Sequence, residues 1–174
     1  MRALDETNRL GVDIGGVIIQ PADDDADTSF FGGNYLRTPQ MPGAFDGLAA
    51  LAGTFGERIW LVSKCGEQTQ RRTLEWLAHH DFHHQTGIPP ERVRFCRHRP
   101  DKAPIARDLG LTHFVDDRLE VLSYLTSVPH RFLFRPRDTE VAAHSIHLPG
   151  VHRVEGWAEL VPALTADPAG PRPG

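Results

Sequence analysis

Apolar residues in this chain fall into short runs separated by longer stretches in which hydrophobic positions recur at helical spacing. Leu10-Gly11-Val12-Asp13 followed by Val17-Ile18-Ile19 opens the series with a buried strand. Ile59-Trp60-Leu61-Val62, Val93-Arg94-Phe95-Cys96, His113-Phe114-Val115 and Arg131-Phe132-Leu133-Phe134 continue it. Such short runs, rich in β-branched and aromatic residues, are the signal of strands buried on both faces. Residues 151–154 add a sixth, short edge strand. Between them, residues 43–54 place Phe45, Leu48, Ala49 and Ala52 at helical spacing, with Pro42 near the start. Residues 67–80 form a helix with Leu74 and Leu77 on one face. Lys102–Leu109 is a short helix stopped by Gly110, and residues 119–126 and 157–164 complete the set.

Strand and helix in alternation imply an α/β fold: a three-layer, Rossmann-like parallel sheet of five to six strands with helices on both faces. The domain spans residues 8–164, after an N-terminal extension of residues 1–7. Residues 165–174, rich in Pro, Gly and Ala, read as a disordered tail. Residues 21–40 break the rhythm with an acidic run (Asp23, Asp24, Asp25, Asp27) and then Phe30-Phe31-Gly32-Gly33. An excursion of this length in a compact domain is functional or disordered. It reads as a flap or minimal cap, too small for a large cap domain.

The totals narrow the field. A chain of 174 residues, 40% hydrophobic and 24% charged, is ordinary globular material for one domain. A net charge of −4 argues against nucleic-acid binding through bulk positive charge, and leaves room for a local basic pocket. Cys65 and Cys96 lie far apart in sequence and suit a reducing compartment. The first ten residues carry Asp5 and Glu6 and no continuous apolar stretch, so they do not read as a secretory signal. No run approaches the roughly 20 apolar residues of a membrane span. The expectation is a cytoplasmic protein.

In a parallel α/β sheet, ligands gather beyond the carboxyl ends of the strands. The first strand ends on Asp13, followed by Ile14-Gly15-Gly16. The second ends on Ser63-Lys64. The third runs into Arg97-His98-Arg99, with Lys102 at the next helix start, and the fourth ends on Asp116-Asp117-Arg118. Carboxylates brought together raise one another's pKa unless a cation compensates. Mg2+ does so with oxygen ligands, typically one or two carboxylates, waters and a substrate phosphate. Lys102 adds a point charge for a phosphate and for Asp13, and Ser63 a hydrogen bond. Lys64, Arg97, His98, Arg99 and Arg118 are candidate substrate contacts. This is equipment for phosphoryl transfer, where positioning and charge stabilisation dominate.

The order strand–Asp13-Ile14-Gly15-Gly16-Val17, Leu61-Val62-Ser63, Lys102, then Phe114-Val115-Asp116-Asp117 resembles the four motifs of the haloacid dehalogenase-like hydrolase superfamily. The resemblance spans nearly the whole folded chain, from Asn8 to Leu164. It implies that Asp13 is a nucleophile that takes the phosphoryl group and also a metal ligand. It further implies that Ser63 and Lys102 hold the phosphate, and that Asp116, Asp117 and the Gly15 carbonyl complete the magnesium site. Phosphatases of this superfamily usually carry a second aspartate at the position of Gly15, acting as general acid and base. Its replacement keeps the carbonyl ligand but removes a proton transfer typically worth about 10²–10⁴-fold. Three readings follow: another group serves, such as His98 or an acid of the 23–27 run; the leaving group departs unaided; or hydrolysis has been lost and binding kept. Dehalogenases and phosphonate-cleaving members also lack this aspartate, but they carry a substantial helical cap that the interval from Asp13 to Ser63 cannot hold.

Blander roles stand beside these. Asp13 also suits a turn, and Ser63 and Asp117 suit helix N-caps. Lys102 is favoured for the site by its place 14 residues before Asp116. His79 with His83, or His80 with His84, has the spacing of helix-borne metal ligands, yet no third ligand completes a set and a solvated helix end reads better. Arg97, His98 and Arg99 equally suit surface charges, the acidic run a solvated loop, and both cysteines small core residues.

The leading expectation is a magnesium-dependent phosphohydrolase acting through an aspartyl-phosphate on Asp13. Its open site suits a phosphorylated small molecule or phosphorylated macromolecule, or closure by a second copy of the chain in a homo-oligomer. The alternative is a catalytically weak or inactive domain that binds a phosphorylated ligand or a protein partner.

Overall fold

A computed structural model describes residues 7–21 and 33–166. The acidic run, Phe30-Phe31, residues 1–6 of the extension and residues 167–174 of the tail lie outside the described residues. Six strands, β1 (Leu10–Val12), β2 (Ile59–Lys64), β3 (Val93–Cys96), β4 (His113–Asp116), β5 (His130–Phe134) and β6 (Val151–Val154), form one sheet. All pair in parallel, in the order β3-β2-β1-β4-β5-β6. The helices are α1 (Ala44–Phe55), α2 (Glu67–His79), α3 (Phe82–Thr86), α4 (Lys102–Leu109), α5 (Leu119–Tyr124), α6 (Asp138–Ala143) and α7 (Trp157–Thr165). This is the Rossmann-like architecture the alternation predicts, and the described residues contain no large cap.

Strand residues alternate between two apolar layers. Leu10, Val12, Ile59, Leu61, Val115, Phe132 and Phe134 pack with residues of α1, α2, α3 and α7. Trp60, Val62, Phe114 and Leu133 face the other way, onto Ala106 of α4 and Leu119, Val121 and Leu122 of α5. Burial on both faces explains why the strands read as continuous apolar runs. Gly11 sits on the second face, where a β-carbon would lie 2.6 Å from Leu111 and from the Phe114 ring. Only glycine lets these side chains close over the centre of the sheet.

From β1 the chain steps outward to β2 and β3, then crosses back to β4 on the other side of β1 and proceeds to β6. The crevice between the carboxyl ends of β1 and β4 is therefore the topological switch point, where such sheets bind ligands.

Local details depart from the sequence reading. Val17, Ile18 and Ile19 do not extend the first strand. Gly16 takes a left-handed φ of 81° and the chain curls, so that the Ile14 carbonyl accepts hydrogen bonds from the amides of Val17, Ile18 and Ile19 at 3.3, 2.8 and 3.1 Å. Ile19 then bridges Gln40, so the 21–40 excursion leaves and returns at the base of this turn. On α2 the buried stripe is Thr73, Trp76 and Leu77, while Leu74 points outward. α2 also stops at His79: Asp81 takes a φ of 55° and a separate short helix, α3, begins. The histidines therefore do not share one helix face. His80 contacts the Leu36 carbonyl at 2.7 Å, His83 that of Ile88 at 2.8 Å, and exposed His84 the Asp81 carboxylate at 3.1 Å. The sequence pattern missed α6, which buries no residue and so carries no apolar period. Thr165, placed in the tail by its composition, ends α7.

Candidate acidic site at the switch point

Strand register builds the site. Val12 pairs with Val115, so Asp13 and Asp116 stand side by side one residue further on, and the Asp13 amide donates to the Val115 carbonyl at 2.9 Å. Lys102, the first residue of α4, turns inward beneath them. Its Nζ donates to Asp13 Oδ1 at 3.0 Å and to Asp116 Oδ2 at 2.8 Å, with its side chain only 3% exposed. The ammonium also sits 5.8 Å from the centre of the Phe114 ring, a favourable cation–π placement. Asp116 is fully buried, and its second oxygen accepts the Arg118 amide at 3.0 Å. Asp117 completes the group. Ligand oxygens of Asp13, Asp116 and Asp117 lie within 4.8 Å of one another.

Three carboxylates around one ammonium leave excess negative charge in a poorly solvated place. Burial would push the Lys102 ammonium down, but Asp116 and Asp13 outweigh it and hold Lys102 above the ordinary lysine range. Burial, reinforced by Asp116, raises Asp13 to about 6 in spite of Lys102. Burial, together with the charges of Asp13 and Asp116, raises Asp117 to about 9, and the Asp117 and Asp13 carboxyls hydrogen-bond each other. Lys102 alone thus leaves the cluster holding a proton at neutral pH. A divalent cation is the other way to satisfy it, and an all-oxygen donor set fits a hard ion such as magnesium.

The turn after β1 gives this cluster its shape. A β-carbon on Gly16 would lie 2.4 Å from Asp117 Oδ2, so the bare backbone there is what admits Asp117 to the site. Gly15 is exposed, and nothing lies within 4 Å of where its β-carbon would be. Its carbonyl takes no part in the hydrogen bonds that close the turn. The Trp157 indole at the start of α7 donates to the Val17 carbonyl at 2.8 Å and pins the turn from below.

The remaining candidates are distributed around this centre. Ser63 is buried at the carboxyl end of β2, and Lys64 beside it is exposed. Arg97 donates to the Cys65 carbonyl and to Gln70 Oε1, both at 2.8 Å, and so lies along the start of α2. His98 and Asp101 reciprocally cap the turn that leads into α4. Arg99 is engaged by Glu120 at 2.6 Å. Arg118 is exposed beside Asp117. The structure thus gathers Asp13, Lys102, Asp116 and Asp117 into one cluster with Gly15 on its rim, while giving Arg97, His98 and Arg99 local partners. Cys65 and Cys96 are free and buried, and burial pushes both thiols up, as suits inert core residues.

Sequence reading missed Gly16 and Trp157 at this edge, and the group Glu120, Glu140 and His144. Doubled glycine after a strand end was the available signal for Gly16. Glu120 and Glu140 are occupied structurally: Glu140 accepts the Glu120 amide at 3.1 Å, and Glu120 binds Arg99 and Tyr124. Among the described residues no helix is long and apolar enough to cross a membrane. No protein-family model matches the chain, and no curated protein matches it either.

Proposed function

We propose that this chain is a magnesium-dependent phosphohydrolase similar to the haloacid dehalogenase-like superfamily, in which Asp13 is the nucleophile. The observation that carries this reading is Lys102 bridging Asp13 and Asp116 at 3.0 and 2.8 Å, with Asp117 alongside, at the switch point of a doubly wound sheet. A buried ammonium fixed on the carboxylate that must attack both orients it and offsets the charge of an incoming phosphate.

Asp13, Asp116, Asp117 and the Gly15 carbonyl would hold the ion. When bound, it supplies positive charge to the phosphate oxygens and replaces the proton shared by Asp13 and Asp117. In the chain's own chemistry, an oxygen of Asp13 attacks phosphorus and the bond from phosphorus to the leaving oxygen breaks. Water then hydrolyses the acyl phosphate to regenerate the carboxylate and release phosphate. Lys102 stays protonated throughout, held by two carboxylates. Gly15 offers no proton, so leaving groups that are stable as anions, such as those of acyl phosphates, anhydrides and aryl phosphates, suit this site best.

A panel of phosphorylated compounds assayed with magnesium, for the native protein and for Asp13→Asn, tests the reading. Turnover by the native protein that disappears in Asp13→Asn is expected. Gly15→Asp has free space for its side chain and should raise turnover of alkyl phosphates, by up to about 10²–10⁴-fold, while changing aryl phosphates little. Absence of turnover on every compound, with phosphate binding retained, would favour a ligand-binding domain, the reading to which Gly15 lends support.

A further inference from the structure

Strand register places Asp13 and Asp116, but it does not place their two companions in the acidic cluster. Asp13 and Asp116 follow Val12 and Val115, which pair in the sheet. Lys102 instead opens α4, and Asp117 lies beyond the last residue of β4. The carboxylates of Asp13, Asp116 and Asp117 repel one another, so whatever fixes these connecting segments works against that repulsion.

The two segments are tied twice. Lys102 donates to Asp116 at 2.8 Å, out of solvent. Three residues before Lys102 and three residues after Asp117, Arg99 donates to the Glu120 carboxylate at 2.6 Å, with the two side chains 36% and 23% exposed. Both ends of this second tie are themselves held. Arg99 opens a short 3-10 helix (Arg99–Asp101) that contains Pro100, is reciprocally capped by His98 and Asp101, and runs directly into Lys102. Residues three apart on such a helix lie on one side, so Arg99 and Lys102 reach toward the β4–α5 segment together. The other carboxylate oxygen of Glu120 accepts the Tyr124 hydroxyl at 3.2 Å, and the Glu120 amide donates to Glu140 of α6 at 3.1 Å. α6 buries no residue of its own, yet it supplies this contact.

We infer that Arg99 and Glu120 are a positioning pair: their contact holds Lys102 and Asp117 in the acidic cluster and so sets its affinity for a divalent ion. A half-exposed ion pair contributes little to global stability. Its effect is local, on two segments that meet at the site. The ion-affinity clause rests on the phosphohydrolase reading; the placement of Lys102 does not.

The chain has two lysines, buried Lys102 and exposed Lys64. Acylation with an amine-reactive ester, followed by peptide mass analysis, therefore reads the release of Lys102 against an internal reference. Arg99→Gln and Glu120→Gln should each raise labelling of Lys102 relative to Lys64 by about fivefold, and weaken magnesium binding in calorimetry by a similar factor. Their melting temperatures should stay close to the native value, so that the release is local and not a consequence of unfolding. Arg99→Glu should go further in both readouts, and Arg99→Glu combined with Glu120→Arg should return both toward native values. Lys102 as protected in the glutamine variants as in the native protein overturns the inference. So does release that the reversed pair fails to undo, or magnesium affinity that does not follow Lys102. Release of Lys102 in the variants of a protein whose native form binds no magnesium overturns the metal reading alone.

Discussion

At the scale of single residues, the unusual feature is a carboxylate cluster with one cation too few. Asp13 at about 6 and Asp117 at about 9 are both raised above their unfolded values, burial being the largest cause. The folded protein therefore binds more protons than the unfolded chain across the window from about 4 to about 9. The sign follows: their contribution to stability is fully present below the ordinary carboxylate range and is lost as pH rises through 6 and then 9. Magnesium competes with those protons, so its affinity should climb with pH across the same window, with about one proton released per ion bound near neutrality. Melting curves at several pH values with and without magnesium measure both effects. Magnesium should remove the alkaline loss of stability in the native protein and fail to do so in Asp116→Asn. A magnesium response that ignores pH, or that persists in Asp116→Asn, contradicts this assignment.

At the scale of elements, β1 and the turn after it do most of the positioning, and the turn is held by a distant helix. Trp157 reaches Val17 across 140 residues of sequence. Trp157→Phe keeps an aromatic ring there but leaves a buried carbonyl unpaired, which should lower unfolding stability by about 1–3 kcal/mol. Because the same turn carries Gly15 and Gly16 to the acidic site, magnesium affinity should fall as well. Chemical denaturation and magnesium titration of the variant separate the two. Lost stability with unchanged magnesium affinity would confine Trp157 to the core.

The same elements mark what was legible in the sequence. Strand runs were readable because both faces of a parallel sheet are apolar, and Lys102–Leu109 was bounded by Gly110, whose φ of 65° is the left-handed stop expected there. Asp13, Asp116 and Lys102 were readable because strand ends and helix starts are local features. Val17–Ile19 misled because apolar residues buried in a tight turn look like strand in one dimension. Trp157 was invisible for a different reason: a hydrogen bond over 140 residues exists only once the sheet has its order.

On the scale of the whole molecule, a doubly wound sheet brings side chains from the ends of β1 and β4 and from α4 to one crevice. Exposed Lys64 ends β2 and exposed Arg118 follows β4 at the same carboxyl edge of the sheet, cations that would draw a phosphorylated ligand toward Asp13. The central claim is that Asp13 takes up the phosphoryl group covalently. It is tested most directly by mixing the protein and magnesium with a labelled aryl phosphate, quenching in acid during turnover, and mapping the label by peptide analysis. The account predicts label on the peptide containing Asp13 and none on Asp13→Asn. Turnover that leaves no label on the protein, or label that persists in Asp13→Asn, would contradict it.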